Sequence, residues 1–137
     1  MGPSALALLG YATWMLLLVA VIAALRSSLT LSGARPANSF SPAGDDVSAF
    51  SGRLCRAHAN CYEFFPIFGG VLAVALFTQR TGVTDPLALW ALAARVVQSS
   101  IHLVSTSTAA VTARFAFFLI QFLIMVYWAV RLWGVGA

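Results

Sequence analysis

The chain has 137 residues, of which 61% are hydrophobic and only 9% are charged, whereas a soluble domain carries about 25% charged residues. A small soluble fold has too little interior to bury so much apolar surface, so this composition excludes one. The net charge is +4, and the basic residues are all Arg; they are scattered among apolar runs, which argues against nucleic-acid binding.

Four apolar segments follow one another along the chain, each near the length of about 20 residues that crosses a bilayer. They predict helices at about 5–26, 52–78, 87–104 and 113–133. Residues 27–50 are rich in Ser, Gly, Pro, Asn and Asp and predict a loop. Residues 81–86 predict a short turn and 105–112 a polar connection. The sequence therefore predicts an all-α integral membrane protein with one four-helix transmembrane domain spanning residues 1–137.

The arginines predict the orientation, because basic residues in short loops stay in the cytosol. The first loop and its flanks hold Arg26, Arg35, Arg53 and Arg56, and Arg114 begins the fourth helix after the other loop of this side. The opposite side holds only Arg80 and Arg131. We therefore expect a multi-pass protein of the cell (inner) membrane, with both termini outside.

Polar residues inside the predicted helices are costly in lipid and are candidates for function. In the second helix Arg53, Arg56, Asn60 and Glu63 are spaced by three, four and three, which places them on one face. Anchoring at the membrane surface would explain Arg53 and Arg56, but Glu63 lies two turns deeper. This face therefore predicts a functional stripe.

A second stripe in the third helix holds Arg95, Gln98, Ser99 and His102. Arg95 and Glu63 should lie at a similar depth in antiparallel neighbours, which predicts an ion pair between them, either as a structural strut or as part of a ligand site. In the fourth helix Gln121 follows Arg114 by two turns on the same side, and Arg114 either anchors the helix at the membrane surface or joins the same site. Together these groups predict a basic cleft, open to the cytosol and suited to a small polyanion.

Histidine and cysteine suggest little further chemistry. His58 and His102 could bind haem or a metal, but two lone histidines are weak evidence, and we predict no metal site. Cys55 and Cys61 form neither a CxxC pair nor a disulfide framework, which favours two reduced thiols with no chemical role.

The run Arg53-Leu-Cys-Arg56-Ala-His58-Ala-Asn60-Cys-Tyr-Glu63-Phe-Phe-Pro66 closely resembles a motif of the MAPEG family, the membrane-associated proteins in eicosanoid and glutathione metabolism. The resemblance is closest to bacterial-type microsomal glutathione transferases. It implies a homotrimer with glutathione bound as co-substrate between adjacent subunits. By analogy Arg56, Asn60 and Glu63 would hold its carboxylates and amine, Arg26 would assist at the glycyl end, and Arg114 would stabilise the thiolate. Arg53, Arg95, Gln98 and His102 complete the expected binding set, although Gln98 and His102 are departures, since they stand where family enzymes often have an aromatic residue or His and then Tyr.

Two further departures from the family pattern lie in the fourth helix. Phe115 follows Arg114 where the prostaglandin synthase has a serine, and Phe118 replaces a tyrosine, which argues against prostaglandin chemistry. The resemblance therefore implies a membrane-bound glutathione transferase or peroxidase acting on a lipophilic small molecule supplied by membrane lipid. The alternative is a non-catalytic binding or scaffold protein of the same fold. Conjugation of a generic aryl halide would discriminate between them.

Overall fold

The fold consists of four long helices, as the computed structural model, which describes residues 1–134, shows. They are α1 (Pro3–Leu31), α2 (Ala49–Phe77), α3 (Asp85–Val104) and α4 (Thr108–Leu132), with a turn of 3-10 helix at Thr81–Val83. The described residues contain no strand. Each long helix is apolar and long enough to cross a membrane, which confirms the predicted all-α membrane fold.

Three of the helix ends differ from the sequence prediction by three residues or more, and polar caps explain two of these differences. The Ser107 hydroxyl accepts a hydrogen bond from Ala110 N at 3.2 Å, so α4 begins at Thr108 within the predicted polar connection. Ser48 likewise caps α2, accepting from Ser51 N at 3.0 Å. Helix α1 continues past Arg26 to Leu31, and the Ser32 N–H closes its last turn with a hydrogen bond to Ser28 O at 3.0 Å. At ~1.5 Å per residue, α1 and α2 are longer than a hydrocarbon core of about 30 Å.

Aromatic side chains fill the centre of the bundle. Tyr11, Phe68 and Trp128 are each 0% exposed, and their rings form a continuous series, with centroids 4.7 Å apart for Tyr11–Phe68 and 6.4 Å apart for Phe68–Trp128. Many large apolar side chains instead point outward, including those on most of α1. An outward apolar surface of this extent is what a lipid solvent requires.

The two ends of the bundle are held by different polar contacts. At the N-terminal face, where α1 begins, Asp85 accepts hydrogen bonds from Ser4 N at 2.9 Å and Ser4 Oγ at 2.6 Å. We call the opposite end the loop face; it carries the α1–α2 loop, residues 32–48, and the α3–α4 connection, residues 105–107. There Arg35 and Asp46 form an ion pair at 2.8 Å, so the long loop has a defined conformation.

Candidate functional site

A polar cleft opens between α2, α3 and α4. It has a volume of about 240 Å³ and is lined by Asn60, Glu63, Phe64, Arg95, Gln98 and Phe118. Four of these residues belong to the two polar stripes predicted from the sequence. The structure therefore brings the stripes of α2 and α3 together, and α4 closes the cleft with an aromatic ring.

Arg95 is the buried charge of the cleft, with only 2% of its surface exposed. Its Nε donates to Gln121 Oε1 at 2.9 Å. Its guanidinium carbon lies 4.8 Å from the centre of the Phe64 ring and 5.7 Å from that of Tyr11. An amide acceptor and aromatic faces therefore stabilise this cation within the bundle.

The predicted ion pair between Glu63 and Arg95 does not form in the structure. Glu63 is exposed, and within residues 1–134 the one ion pair is Arg35–Asp46. The two side chains nevertheless line the same cleft. The prediction of a direct pair was wrong because an amide on α4 reaches Arg95 instead, which leaves the Glu63 carboxylate available to solvent or ligand.

Gln121, which the sequence placed on the same side of the fourth helix as Arg114, belongs to this network. It is 0% exposed, and its Nε2 donates to Gln98 Oε1 at 2.7 Å and to Phe117 O at 2.9 Å. A lone amide in the middle of an otherwise apolar membrane helix needs buried polar partners, and these contacts supply them. Its contacts orient both Arg95 and Gln98 toward the cleft.

The polar path continues from the cleft toward the loop face. The Asn60 amide lies 3.3 Å from His102 Nδ1, so the ring accepts when Asn60 donates. The Asn60–His102 contact therefore joins the α2 stripe to the last turn of α3. Arg114 Nε is buried and has no hydrogen-bond partner in the protein.

Arg53 and Arg56 also line a separate recess at the loop face, with a volume of about 230 Å³. Arg53 Nε donates to Leu103 O at 2.8 Å, which fixes this side chain against the end of α3. Arg26 lies elsewhere on the loop face and donates to Ser41 O at 2.9 Å. Within one chain the nine predicted site residues are thus divided among the cleft, its extension and the loop face.

The cysteines and the second histidine lie outside the cleft lining. The Cys61 sulfur is 3.2 Å from Ser99 Oγ in the interior, and Cys55 is buried near Arg26. The His58 ring packs against Tyr62, with centroids 5.3 Å apart. Residues 1–134 contain no group of three His, Cys, Asp or Glu side chains that could hold a metal ion.

Four helices long and apolar enough to cross a membrane, packed around a polar cleft, define the class as a small integral membrane protein. Residues 4–134 match the model of the MAPEG family. The chain therefore belongs to the MAPEG family, as its helix 2 motif predicted. Comparisons with curated proteins and with solved structures gave no significant match to any individual protein.

Proposed function

We propose that the protein is a glutathione-dependent transferase or peroxidase that acts on lipophilic electrophiles. The observation that carries the proposal is the cleft itself. Carboxylate, guanidinium and amide groups on α2 and α3 face the same 240 Å³ space as the rings of Phe64 and Phe118. The polar groups of the cleft therefore suit a charged thiol peptide, and its aromatic rings suit an apolar electrophile bound beside it.

Glutathione complements these groups in charge. A guanidinium binds a carboxylate with two parallel hydrogen bonds, so Arg56 and Arg95 are suited to its two carboxylates. Glu63 is suited to the ammonium group, and Asn60 offers an amide that both donates and accepts. Arg53, Gln98 and His102 border these groups in our proposal. An exposed Glu63 without an ion-pair partner has its full charge available for such a ligand.

The catalytic task assigned to Arg114 is to favour ionisation of the thiol. A thiol with a pKa near about 8.5 is mostly protonated at neutral pH, and the thiolate is the nucleophile. A guanidinium beside the sulfur stabilises the thiolate. The sulfur then attacks the electrophilic carbon, and the leaving group departs with its electron pair. The protein itself supplies no covalent nucleophile.

We further propose a homotrimer with its sites between subunits. Arg56, Asn60 and Glu63 are exposed on a membrane helix of the single chain, and such groups are costly against lipid. A neighbouring copy would cover this face and could bring its own Arg26 or Arg114 to it. The basic residues Arg26, Arg35, Arg53 and Arg56 flank the loop face, so we place that face, and the opening of the site, in the cytosol of the cell (inner) membrane.

Calorimetry with glutathione on the detergent-solubilised protein tests the proposal, with a thiol-free glutathione analogue in parallel. We expect both compounds to bind, since carboxylates and ammonium carry most contacts, and we expect only glutathione to be conjugated to an aryl halide. If neither compound binds, the proposal is contradicted. Native mass spectrometry that shows a stable monomer or dimer would contradict the trimer.

One observation favours a second candidate, a non-catalytic binding protein. None of the six residues that line the cleft carries a hydroxyl group, and Phe118 occupies the α4 wall. A cleft without a hydroxyl donor has fewer groups to assist a leaving group or orient the thiolate. Glutathione binding without conjugation or peroxide reduction would establish this candidate.

A further inference from the structure

The Gln98 amide presents a hydrogen-bond donor to the cleft. Its Oε1 accepts from Gln121 Nε2 at 2.7 Å, whereas its own Nε2 has no hydrogen-bond partner among residues 1–134. Gln98 Nε2 is partly accessible, since within these residues the fully buried side-chain nitrogens without a partner belong to Arg and Trp. Because Gln98 lines the cleft and an amide nitrogen carries two hydrogens, this donor is free to bind a ligand there.

A one-way series of hydrogen bonds connects this donor to a buried cation. Arg95 Nε donates to Gln121 Oε1 at 2.9 Å, and Gln121 Nε2 in turn donates to Gln98 Oε1. Arg95 is 2% exposed and Gln121 is 0% exposed, so solvent screens the series little. Hydrogen bonds in such a chain polarise one another where the dielectric constant is low. The Gln98 N–H is therefore a stronger donor than an isolated amide.

The walls near this donor are aromatic, which indicates an apolar ligand for it. Phe64 and Phe118 line the same cleft as Gln98, with ring centroids 6.1 Å apart and an interplanar angle of 71°. Rings at such an angle offer both a face and an edge to a flat conjugated group. A polarised neutral donor beside these rings suits a carbonyl oxygen, whereas a carboxylate is bound better by a guanidinium group.

The lining of the cleft also favours an addition over a reaction that releases an oxygen leaving group. Such a group, as in peroxide reduction, needs a proton from an acidic donor. None of the six lining residues carries a hydroxyl group, and an amide donates a hydrogen bond without giving up its proton. Addition to a conjugated carbonyl keeps the electron pair on the substrate, where a fixed donor stabilises the charge that develops on oxygen.

We propose that the electrophile of this site is a lipophilic α,β-unsaturated carbonyl compound, and that Gln98 is the catalytic residue that binds its oxygen. This inference rests on the proposed glutathione transferase function. The glutathione thiolate attacks the β-carbon, and a carbon–sulfur bond forms as the carbon–carbon double bond opens. The electron pair moves to the carbonyl oxygen, which accepts a hydrogen bond from Gln98 Nε2. A proton from solvent, equivalent to the one that the thiol lost, then adds to the α-carbon, and no group leaves.

Glutathione conjugation by the complete protein in detergent tests this with two electrophiles. Octyl vinyl ketone is the conjugate acceptor and chlorodinitrobenzene is the aryl halide, and we expect the wild type to conjugate both. The readout is the ratio of kcat/KM for the ketone to kcat/KM for the halide. Both reactions use the same bound glutathione, so a general loss of folding or of glutathione binding cancels in this ratio.

Gln98→Glu keeps the acceptor for Gln121 and removes the N–H donor, so the ratio should fall about a hundredfold, as for the loss of one oxyanion donor. Gln98→Met, which stays neutral, should give a similar fall. Gln121→Glu should also lower the ratio, because it keeps the acceptor for Arg95 but cannot donate to Gln98. Gln79→Glu is the matched control. Gln79 is exposed beyond the end of α2, so this variant should keep the wild-type ratio.

An unchanged ratio in both Gln98 variants would overturn the proposal and leave the transferase function in place, since conjugation of the halide measures that function separately. A fall in Gln98→Met alone would show that the side chain serves only as an acceptor for Gln121, which also overturns the proposal. If the wild type conjugates the halide and not the ketone, the assigned substrate class is wrong. If it conjugates neither, the proposed function is overturned as well.

Discussion

Arg95 on α3 and Gln121 on α4 form a buried hydrogen-bonded pair, with 2.9 Å between Arg95 Nε and Gln121 Oε1. Gln121 also donates to Gln98 Oε1 at 2.7 Å. The Gln121 amide therefore orients both the Arg95 guanidinium and the Gln98 amide in the cleft. A buried charge that loses its partner is strongly destabilising. Gln121 therefore fixes the position of a group that we assign to ligand binding, although it does not line the cleft itself.

Replacing Gln121 by Leu should lower the free energy of unfolding by about 2–3 kcal/mol, because Arg95 loses a charged hydrogen bond and Gln98 loses a donor. Gln121→Glu keeps the acceptor and adds a counter-charge, so it should stay closer to the wild type. Denaturant unfolding in detergent, followed by circular dichroism, measures both. A Leu variant as stable as the wild type would show that the pair contributes nothing.

Replacing Glu63 by Gln should change the free energy of unfolding by less than about 0.5 kcal/mol, since the exposed side chain has no ion-pair partner. Glutathione affinity should fall about tenfold, because the ammonium group loses a charge-assisted hydrogen bond. Asp85→Asn is the control for glutathione affinity and should leave it unchanged.

A double-mutant cycle of Glu63→Gln and Arg95→Met extends this test. We expect a coupling energy below about 0.5 kcal/mol, as for residues without a direct contact. A coupling of several kcal/mol would mean that the two groups pair in the membrane, contrary to their arrangement in the structure.

Arg114→Ala should raise the pKa of the bound glutathione thiol by one to two units, which corresponds to about 1.4–2.8 kcal/mol. Glutathione affinity should remain within a few-fold of the wild type, and turnover should fall. Lysine at position 114 should restore part of the effect, because it keeps the charge without the planar fork. Ultraviolet absorbance of the thiolate, titrated against pH, measures the shift.

Arg56→Ala provides the contrast to Arg114→Ala. It should weaken glutathione binding strongly and leave the pKa of the thiol that still binds nearly unchanged. If Arg114 only anchors α4 at the membrane surface, its removal should lower stability and leave the titration curve in place. Identical titration curves would therefore remove Arg114 from the catalytic assignment.

Phe118→Tyr should lower the pKa of the bound thiol by about half a unit to one unit, because it adds a hydroxyl donor to a wall of the cleft. Phe122→Tyr is the matched control. Phe122 stacks against Phe118 at 6.2 Å between centroids but does not line the cleft. An equal effect of the two substitutions would exclude a local action of the new hydroxyl.

The Arg35–Asp46 ion pair should make the order of the α1–α2 loop depend on pH. The hydrogen bond from Arg35, and then that from the Ser41 backbone N–H, lowers the pKa of Asp46. A lowered pKa in the folded state means that the stabilisation is present above the unfolded value of about 3.9 and is lost as pH falls through the folded value.

Hydrogen exchange at the Ser41 amide, which donates to Asp46 Oδ2 at 3.1 Å, measures this effect. We expect protection at neutral pH in the wild type, and faster exchange at neutral pH in Asp46→Asn. Asp45→Asn is the neighbouring control and should keep the protection. Equal exchange in all three proteins would show that the ion pair does not order the loop.

The sequence by itself determined the membrane class, the four spans and the family. An apolar run of about 20 residues is long enough to cross the bilayer as a helix, and it can be read from the sequence without any tertiary contact. The spacing of Arg53, Arg56, Asn60 and Glu63 follows from the helical repeat alone, so the polar face of α2 was also predictable. Matched depth correctly placed Glu63 and Arg95 on one cleft.

Only the tertiary structure decided which side chains meet. The helical repeat fixes the face on which a residue lies, but the rotation and axial shift of one helix against another decide its partner. Arg95 consequently bonds Gln121 on α4 and leaves Glu63 unpaired. Asp45 sits in a loop without periodicity, and its position at the loop-face recess depends on the packing of Gly44 against α2. Contacts of this kind arise from packing between elements, which no pattern within one segment encodes.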